Sequence, residues 1–304
     1  MIMSATLWDS FDHLLQEAEQ SFLRQNIDQA LNFWKQYYKI TAKVEYQKVI
    51  AEVAELWKDS RLDQISSLEM LYNIFTRYQE LLRNQKISSF TFQLYKKLII
   101  KIYKVKFQQI NASDNSLAAG IFDYLSGNHE SASVKLNSIL KSRIDSIEAR
   151  KYLGYVYMEL KKQDQAIEML TQNLFLGANE LKPEDFYLSQ YKMLYGRLHA
   201  TYSAHDVAAW MLVFESWYRN WLIFKEDESF FTLLRNKESA ERIMQVKYYQ
   251  FERYRHFVRC LFIADYARLY KLKEKGLIIE QEQYMMKLDP HLFARYRNKR
   301  KELD

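Results

Sequence analysis

The sequence predicts an all-α fold, and three observations lead to this prediction. The chain of 304 residues contains only 6 Gly and 2 Pro, whereas strand-rich folds of this length use these residues at many tight turns. Hydrophobic residues make up 48% of the chain, which is enough for a sizeable core and too much for general disorder. Small and large apolar residues also recur with a period of 34 residues, as they do in arrays of helix pairs.

The first third of the chain predicts five helices. They are expected near 5–24, 27–42, 45–58, 64–83 and 89–111, with turns or caps at Asp59, 84–88 and 111–115. Ser88 or Ser89 is expected to cap the fifth helix. The spacing of Ala18, Ala30 and Trp34 predicts that the first two helices form a degenerate copy of the repeat described next.

The clearest repeat begins at Ile147 and contains Leu153, Gly154, Tyr157, Ala166 and Leu170. Its glycine lies in the first predicted helix and Ala166 lies early in the second. We expect these two small side chains to let antiparallel helices approach closely, while the large apolar residues fill the layer between neighbouring pairs.

Two further copies support the period. A copy that begins at Ser113, 34 residues earlier, has Gly120, Ala132 and Leu136 at the equivalent positions. A third copy begins near Ser189, after an eight-residue insertion around Pro183, and has Gly196, Ala208 and Leu212. Three of the six glycines therefore occupy one position of the repeat.

The spacing L-G-x2-Y-x8-A-x3-L resembles the tetratricopeptide repeat, whose pattern is W-x2-L-G-x2-Y followed by A-x3-F and a late Pro. The sequence departs from this pattern where Arg150 stands at the Trp position and where Asp123 and His199 replace Tyr. The resemblance implies antiparallel helix pairs stacked in a right-handed superhelix. The first helices of such pairs line a concave groove that holds a peptide or a partner helix.

Transferred by position, the resemblance implies a groove formed by Leu117, Ile121, Tyr124, Lys151, Tyr155, Met158, Met193, Arg197 and Ala200. A surface of Tyr, Met and Leu would suit an apolar helix or an extended peptide. Only Lys151 fits the two-carboxylate clamp of the chaperone-binding members, so a chaperone co-factor is not expected. By family analogy alone, the protein would be a scaffold or adaptor in a larger bacterial assembly of the secretion, envelope or flagellar type.

The C-terminal segment carries the excess positive charge. Residues 241–304 contain 15 Lys and Arg against 9 Asp and Glu, which accounts for the whole net charge of +6. The candidate basic surface consists of Arg253, Arg255, Arg259, Lys271, Lys273, Arg295, Arg297 and Arg300. Interleaved with Tyr and Phe, such residues can bind nucleic acid by charge and stacking, or their aliphatic stems can cover a core helix. A nucleic-acid-associated regulator is therefore the alternative function.

The C-terminal elements are expected in the following order. An acidic turn at 225–229 leads into a short helix. A long helical pattern then runs from Glu238 to about Lys275, as two stacked helices or one unusually long helix, with Gly276 as its C-cap. A helix at 278–288 follows, and Asp289-Pro290 begins the last helix as N-cap and first residue. The chain thus divides into an N-terminal region with degenerate pairs (1–112), clear pairs (113–224) and a basic, aromatic-rich extension (225–304).

The sequence contains no motif that predicts catalysis. H-E-x-x-H, glycine-rich phosphate loops and G-x-S-x-G are missing, so we expect no enzyme activity, cofactor or metal. The single Cys260 lies in an apolar run, which predicts a buried thiol and excludes a disulfide within the chain. No signal peptide or membrane-spanning run is visible, which predicts a cytoplasmic protein without membrane insertion.

Overall fold

The computed structural model describes residues 7–60, 62–108, 116–244, 250–271 and 273–303. Within these ranges the chain forms fifteen α-helices that pack in adjacent pairs, and it contains no β-strand. The predicted all-α class is therefore confirmed. In the same ranges, no helix is both long enough and apolar enough to cross a membrane.

The chain divides into two compact units. The first comprises Met1–Asp114 and Ile121–Asn128. Its helices are α1 (Leu7–Leu23), α2 (Ile27–Thr41), α3 (Val44–Ser60), α4 (Leu68–Arg83) and α5 (Ser89–Ile102), which continues into a π-helical turn at Tyr103–Phe107. The five helices expected in this region are all present, and the turn expected at 111–115 lies outside the described residues.

The second unit comprises Asn115–Gly120 and His129–Asp304, so α6 (Leu117–Leu125) contributes residues to both units. Its first helices are α7 (His129–Ser142), α8 (Ile147–Glu159), α9 (Gln163–Gly177), α10 (Ser189–Tyr202) and α11 (His205–Tyr218). They are followed by α12 (Glu228–Met244), α13 (Gln250–Tyr270), α14 (Lys275–Leu288) and α15 (Pro290–Leu303). The helix boundaries from α7 to α11 follow the predicted repeat.

The chain turns between helices without using many glycines. Among the residues that the structure describes, six other than glycine adopt positive φ angles: Gln25, Ala42, Gln85, Lys161, Ser203 and Asn220. After α8, for example, the N–H of Lys162 donates to the carbonyl of Tyr157 at 2.8 Å, the long bond of a Schellman C-cap. Each left-handed residue costs on the order of 1 kcal/mol, which the packed helices on either side offset.

Side-chain caps begin several helices, as the sequence predicts. Ser88 caps α5, with its Oγ accepting a hydrogen bond from the Thr91 N–H at 3.2 Å. Asp289 caps α15, with its Oδ1 accepting from the Leu292 N–H at 3.0 Å, and Pro290 is the first helical residue. The fourth helix starts at Leu68 rather than near 64 because the hydroxyl of Ser67 accepts from the N–H of Met70 at 3.1 Å.

The first unit has an aromatic core and one buried carboxylate. Phe22 of α1 contacts the rings of Trp34 on α2 and Tyr95 on α5, at centroid distances of 5.9 and 5.1 Å. Glu52 of α3 is buried and accepts hydrogen bonds from the N–H and the hydroxyl of Ser88, at 3.0 and 2.8 Å. A carboxylate at this helix start is favoured by the exposed N–H groups of the first turn, so Glu52 ties α3 to α5.

The core of the second unit is continuous from α9 to α15. Its central element is α13, in which every residue from Phe257 to Ala267 except Arg259 and Asp265 is apolar, and all of them are buried. This helix packs against α9, α11, α12 and α14. Helices α12 to α15 therefore share one hydrophobic core with the preceding helices.

The three repeat glycines do not share one role, which corrects the sequence interpretation. A Cβ atom on Gly120 would lie 2.9 Å from the Leu136 side chain, as expected for two closely packed helices. At Gly154 the close neighbour is instead Tyr187, from the insertion, and at Gly196 nothing lies within 4 Å. The three alanines of the second helices, Ala132, Ala166 and Ala208, are fully buried.

The expected C-cap at Gly276 is wrong. Helix α13 ends at Tyr270, and Gly276 is the second residue of α14. The intervening turn is closed by hydrogen bonds from Lys271 N–H to Ala267 O and from Glu274 N–H to Lys271 O, both 2.8 Å. This turn folds α14 back onto α13. Helix α13 therefore ends six residues before Gly276. The long pattern from Glu238 is divided between α12 and α13.

Candidate partner-binding cleft

A cavity of about 490 Å³ opens in the second unit beside the start of α8, and we call it the charged cleft. Its walls come from four segments of the chain: Leu117, residues 143–151, residues 176–185, and Lys237 of α12. The basic lining residues are Arg143, Lys151 and Lys237. The acidic lining residues are Asp145, Glu148, Glu180 and Asp185, and the apolar ones are Leu117, Ile147, Leu176 and Leu181.

Asp185 organises one wall of the charged cleft. This residue ends the short 3-10 helix Pro183–Asp185, and its Oδ2 accepts a hydrogen bond from the Lys182 N–H at 2.9 Å. Its other oxygen lies 3.3 Å from Nζ of Lys151. The hydroxyl of Tyr155 donates to the Asp185 carbonyl at 3.4 Å. The insertion around Pro183 thus supplies the carboxylate that holds Lys151 in place.

Arg150, a buried residue of α8, holds α8 in contact with α12. Both helices line the cleft. Arg150 is 2% exposed, and its Nε donates to Gln172 Oε1 of α9 at 2.8 Å. Its guanidinium lies 5.0 Å from the ring centroid of Phe230 on α12, a cation–π distance. Burial lowers the pKa of Arg150 to about 10, although Asp227 and Asp145 act in the opposite direction.

The same network continues to the start of α12. Gln172 donates through Nε2 to Asp227 at 3.2 Å, and Asp227 caps α12 by accepting from the Phe230 N–H at 2.9 Å. The network therefore fixes α12, which carries Lys237, relative to α8, which carries Lys151. Lys237 Nζ then lies 3.7 Å from Asp145 across the cleft.

The structure brings only two of the groove residues inferred from the sequence, Leu117 and Lys151, into this cleft. Ile121 is fully buried, so its side chain is core and cannot line an accessible surface; it belongs to the first unit, as does the half-buried Tyr124. Tyr155 and Met158 are half-buried, and Met193, Arg197 and Ala200 are exposed. This cleft is not the apolar groove that the resemblance implies, because most of its lining is charged.

Sequence reasoning missed Arg143, Asp145, Glu148, Glu180, Asp185 and Lys237 as cleft residues. The repeat register extends only over the helix pairs, whereas Glu180 and Asp185 lie between α9 and α10 and Lys237 lies beyond the last copy. From the sequence alone, Asp185 is interpreted only as an acidic residue at a helix start. That interpretation is compatible with its bond to Lys182, but it does not predict the ion pair with Lys151.

The basic residues of the C-terminal region are mostly paired within the fold. Six of the eight lie within 4 Å of a carboxylate: Arg253 with Asp289, Arg255 and Arg259 with Glu241, Lys271 with Glu228, Arg295 with Glu215, and Arg300 with Asp265. Arg259 is buried and also donates to the carbonyl of Leu176 at 3.0 Å, so its place on a basic surface is wrong. Lys273 and Arg297 are exposed.

A group of potential metal ligands lies between α12 and α13. Donor atoms of Glu238, Glu241 and His256 are within 4.8 Å of one another, and His256 Nδ1 is 2.8 Å from Glu238. However, guanidinium nitrogens of Arg259 and Arg255 lie 2.7 and 3.0 Å from Glu241. These two cations hold the pKa of Glu241 below its usual value against the effect of burial. They would also repel a metal ion, so we interpret the group as a structural ion network.

Comparison with known proteins adds no family to this description. No protein-family model, curated protein or solved structure matches the chain.

Proposed function

We propose that the protein is a non-enzymatic scaffold or adaptor that binds a segment of a partner protein in the charged cleft. In this proposal α6 to α11 are tetratricopeptide-type pairs and stack in a right-handed superhelix, as the resemblance implies. The observation that carries the proposal is the convergence of seven charged side chains in one concave site that also includes Leu117 and Lys151, two of the groove residues inferred from sequence.

The charges of the cleft indicate the chemistry of the partner. Lys151 pairs with Asp185 and Lys237 pairs with Asp145, so both lysines already have internal counterions. Of the remaining charged residues, Glu148 and Glu180 outnumber Arg143. A partner segment that brings a basic side chain to the two glutamates and an apolar one to Leu117, Ile147 and Leu181 would complement this lining. Within a larger assembly, the cleft would be one contact among several.

The first experiment reverses the charge of the two cleft glutamates. Glu148→Lys combined with Glu180→Lys is compared with Glu159→Lys, which changes an exposed residue of α8 outside the cleft. Each tagged protein is used to capture partners from its native host. The proposal predicts one partner that the wild type and the Glu159→Lys protein retain and that the double variant loses.

The captured partner is then purified and titrated against the three proteins by calorimetry. We expect the double variant to bind at least about tenfold more weakly, since it places two like charges beside the basic partner residue. Equal affinity of the double variant and the wild type would contradict the assignment of the cleft. Circular dichroism and thermal unfolding verify that the double variant remains folded.

A nucleic-acid-associated regulator is the weaker alternative, because six of the eight basic residues are already paired with carboxylates. Salt distinguishes the two functions. Nucleic acid retained at low salt and released steeply as the salt concentration rises would favour the alternative, whereas the cleft proposal predicts that no nucleic acid is retained.

A further inference from the structure

A second concave site lies in the second unit between α11, α13 and α15, and we call it the amphipathic cavity. Its volume is about 660 Å³, within the range of small-molecule sites in proteins. Its lining does not overlap that of the charged cleft. The two sites can therefore be tested separately.

Much of the lining of the amphipathic cavity is apolar. The apolar lining residues are Trp217 of α11, the following residues Leu222 and Phe224, and Leu269 and Leu303. The side chains of Leu269 and Leu303 are 55% and 47% exposed. An apolar ligand would remove both from water, which is favourable by about 25 cal/mol per Å² of area buried.

The lining also includes two guanidinium groups and one carboxylate, those of Arg268, Arg300 and Asp265. Asp265 is buried and accepts hydrogen bonds from Trp217 Nε1 at 2.6 Å and from Arg268 Nη1 at 3.3 Å. Arg300 Nε lies 3.9 Å from the same carboxylate. The charged residues that line the cavity are therefore two cations and one anion, and Glu282, outside the lining, also pairs with Arg268.

The Asp265 carboxyl group is already engaged by three groups of the cavity lining. Its burial raises the pKa of its carboxyl group, although Arg300, Trp217 and Arg268 favour the ionised form. A guanidinium has five N–H donors and can bind an internal carboxylate and a ligand at the same time. Two arginines beside an apolar wall are therefore suited to a ligand with an anionic head and an apolar body.

The aromatic wall is held rigid, so the cavity is preformed. Trp217 stacks on Tyr296 of α15, at a centroid distance of 5.3 Å and an interplanar angle of 27°, while its Nε1 is bonded to Asp265. Arg268 is placed by hydrogen bonds to Tyr296 and Glu282. A site whose walls are fixed by internal bonds requires less ordering when a ligand binds.

From this geometry we propose that the amphipathic cavity binds a small monocarboxylic acid with an apolar body, whose carboxylate contacts Arg268 and Arg300 and whose body lies on Trp217, Leu269 and Leu303. The carboxylate is the recognised group, because it is the shared complement of both guanidiniums. The apolar body of the acid buries apolar surface of the cavity, which a short acid cannot do.

The test uses the full chain and three probes: octanoate, octanol without the charge, and acetate without the apolar body. Binding is measured by calorimetry and by the tryptophan fluorescence that Trp217 contributes. We expect saturable binding of octanoate at one site and binding at least about tenfold weaker for each of the other two probes. Equal binding of octanol, or no saturable octanoate binding, would overturn the proposal.

Two matched variants locate the site. Arg300→Gln removes a lining cation, whereas Arg297→Gln removes an exposed cation of the same helix that does not line the cavity. Octanoate affinity should fall about tenfold in the first and stay unchanged in the second. An equal loss of octanoate affinity in both variants would mean that octanoate is attracted by positive charge in general. That result would overturn the proposed site. Leu269→Gln tests the apolar wall independently and should also weaken octanoate binding, so the result does not depend on one variant remaining folded.

Discussion

Gly120 lies so close to Leu136 that a Cβ atom on the glycine would stand 2.9 Å from Leu136 Cγ. Leu136 is fully buried and cannot move aside without disturbing the core. Gly196 occupies the same position of the predicted repeat, yet a Cβ atom added there would have no neighbour within 4 Å. The two sites therefore predict opposite outcomes for the same substitution.

Gly120→Ala should destabilise the protein by about 1–3 kcal/mol, because overpacking a filled site exceeds the gain in helix propensity. Gly196→Ala should leave stability unchanged or raise it by about 0.5–1 kcal/mol, because alanine restricts the unfolded chain and no atom opposes it. Urea unfolding followed by circular dichroism measures both. A loss of similar size in the two variants would contradict the packing difference.

Gly154→Ala should also destabilise the protein, but through Tyr187. The added Cβ would collide with the Tyr187 hydroxyl oxygen, which donates a hydrogen bond to the Ala166 carbonyl. We expect a loss of about 1–3 kcal/mol in the wild type. The loss should be smaller in a Tyr187→Phe background, where the closest atom is gone. A double-mutant cycle measures this coupling, and additive effects would show that the strain lies elsewhere.

Glu52→Gln should weaken the hydrogen bonds that join α3 to the start of α5. Burial works to raise the pKa of Glu52, but hydrogen bonds from Thr91 and Ser88 and the charge of Lys48 hold it below its usual value. A lowered folded-state pKa means that the stabilisation is complete above the unfolded-state pKa and is lost as the pH falls through the folded-state value. We expect a loss of about 1–3 kcal/mol at neutral pH.

Denaturant titrations of Glu52→Gln and of the exposed control Glu55→Gln, at neutral pH and at about pH 3, test this linkage. The difference between wild type and Glu52→Gln should shrink at the acidic pH, whereas Glu55→Gln should follow the wild type throughout. If the stability difference between wild type and Glu52→Gln does not change with pH, the lost hydrogen bonds account for it and the charge of Glu52 does not contribute.

The thiol of Cys260 should be unreactive in the folded protein. The residue is fully buried in α13, and its sulfur lies 3.9 Å from a carboxylate oxygen of Glu238. Both burial and a nearby negative charge disfavour the reactive thiolate. Ellman's reagent should label the native protein only at the rate of unfolding, with denatured protein as the reference for complete reaction. Rapid labelling under native conditions would contradict the burial of this part of α13.

The sequence by itself determined the all-α class, most helix boundaries and the caps at Ser88 and Asp289. These features depend on local physics: scarce glycine and proline, apolar periodicity, and side chains that bond to N–H groups within the same turn. The burial of Cys260 and of Ala132, Ala166 and Ala208 was predictable for the same reason. An apolar run or a regular spacing within one helix pair already indicates which face is covered.

Only the tertiary structure decided how the charges are used and where the cavities lie. Asp185 meets Lys151 because an insertion folds over α8, and the six paired basic residues of the C-terminal region find carboxylates that are mostly distant in sequence. The different surroundings of Gly120, Gly154 and Gly196 arise in the same way, since each glycine meets whatever segment packs on its helix. Ion pairs and cavities depend on which helices become neighbours, and a repeat register does not contain that information.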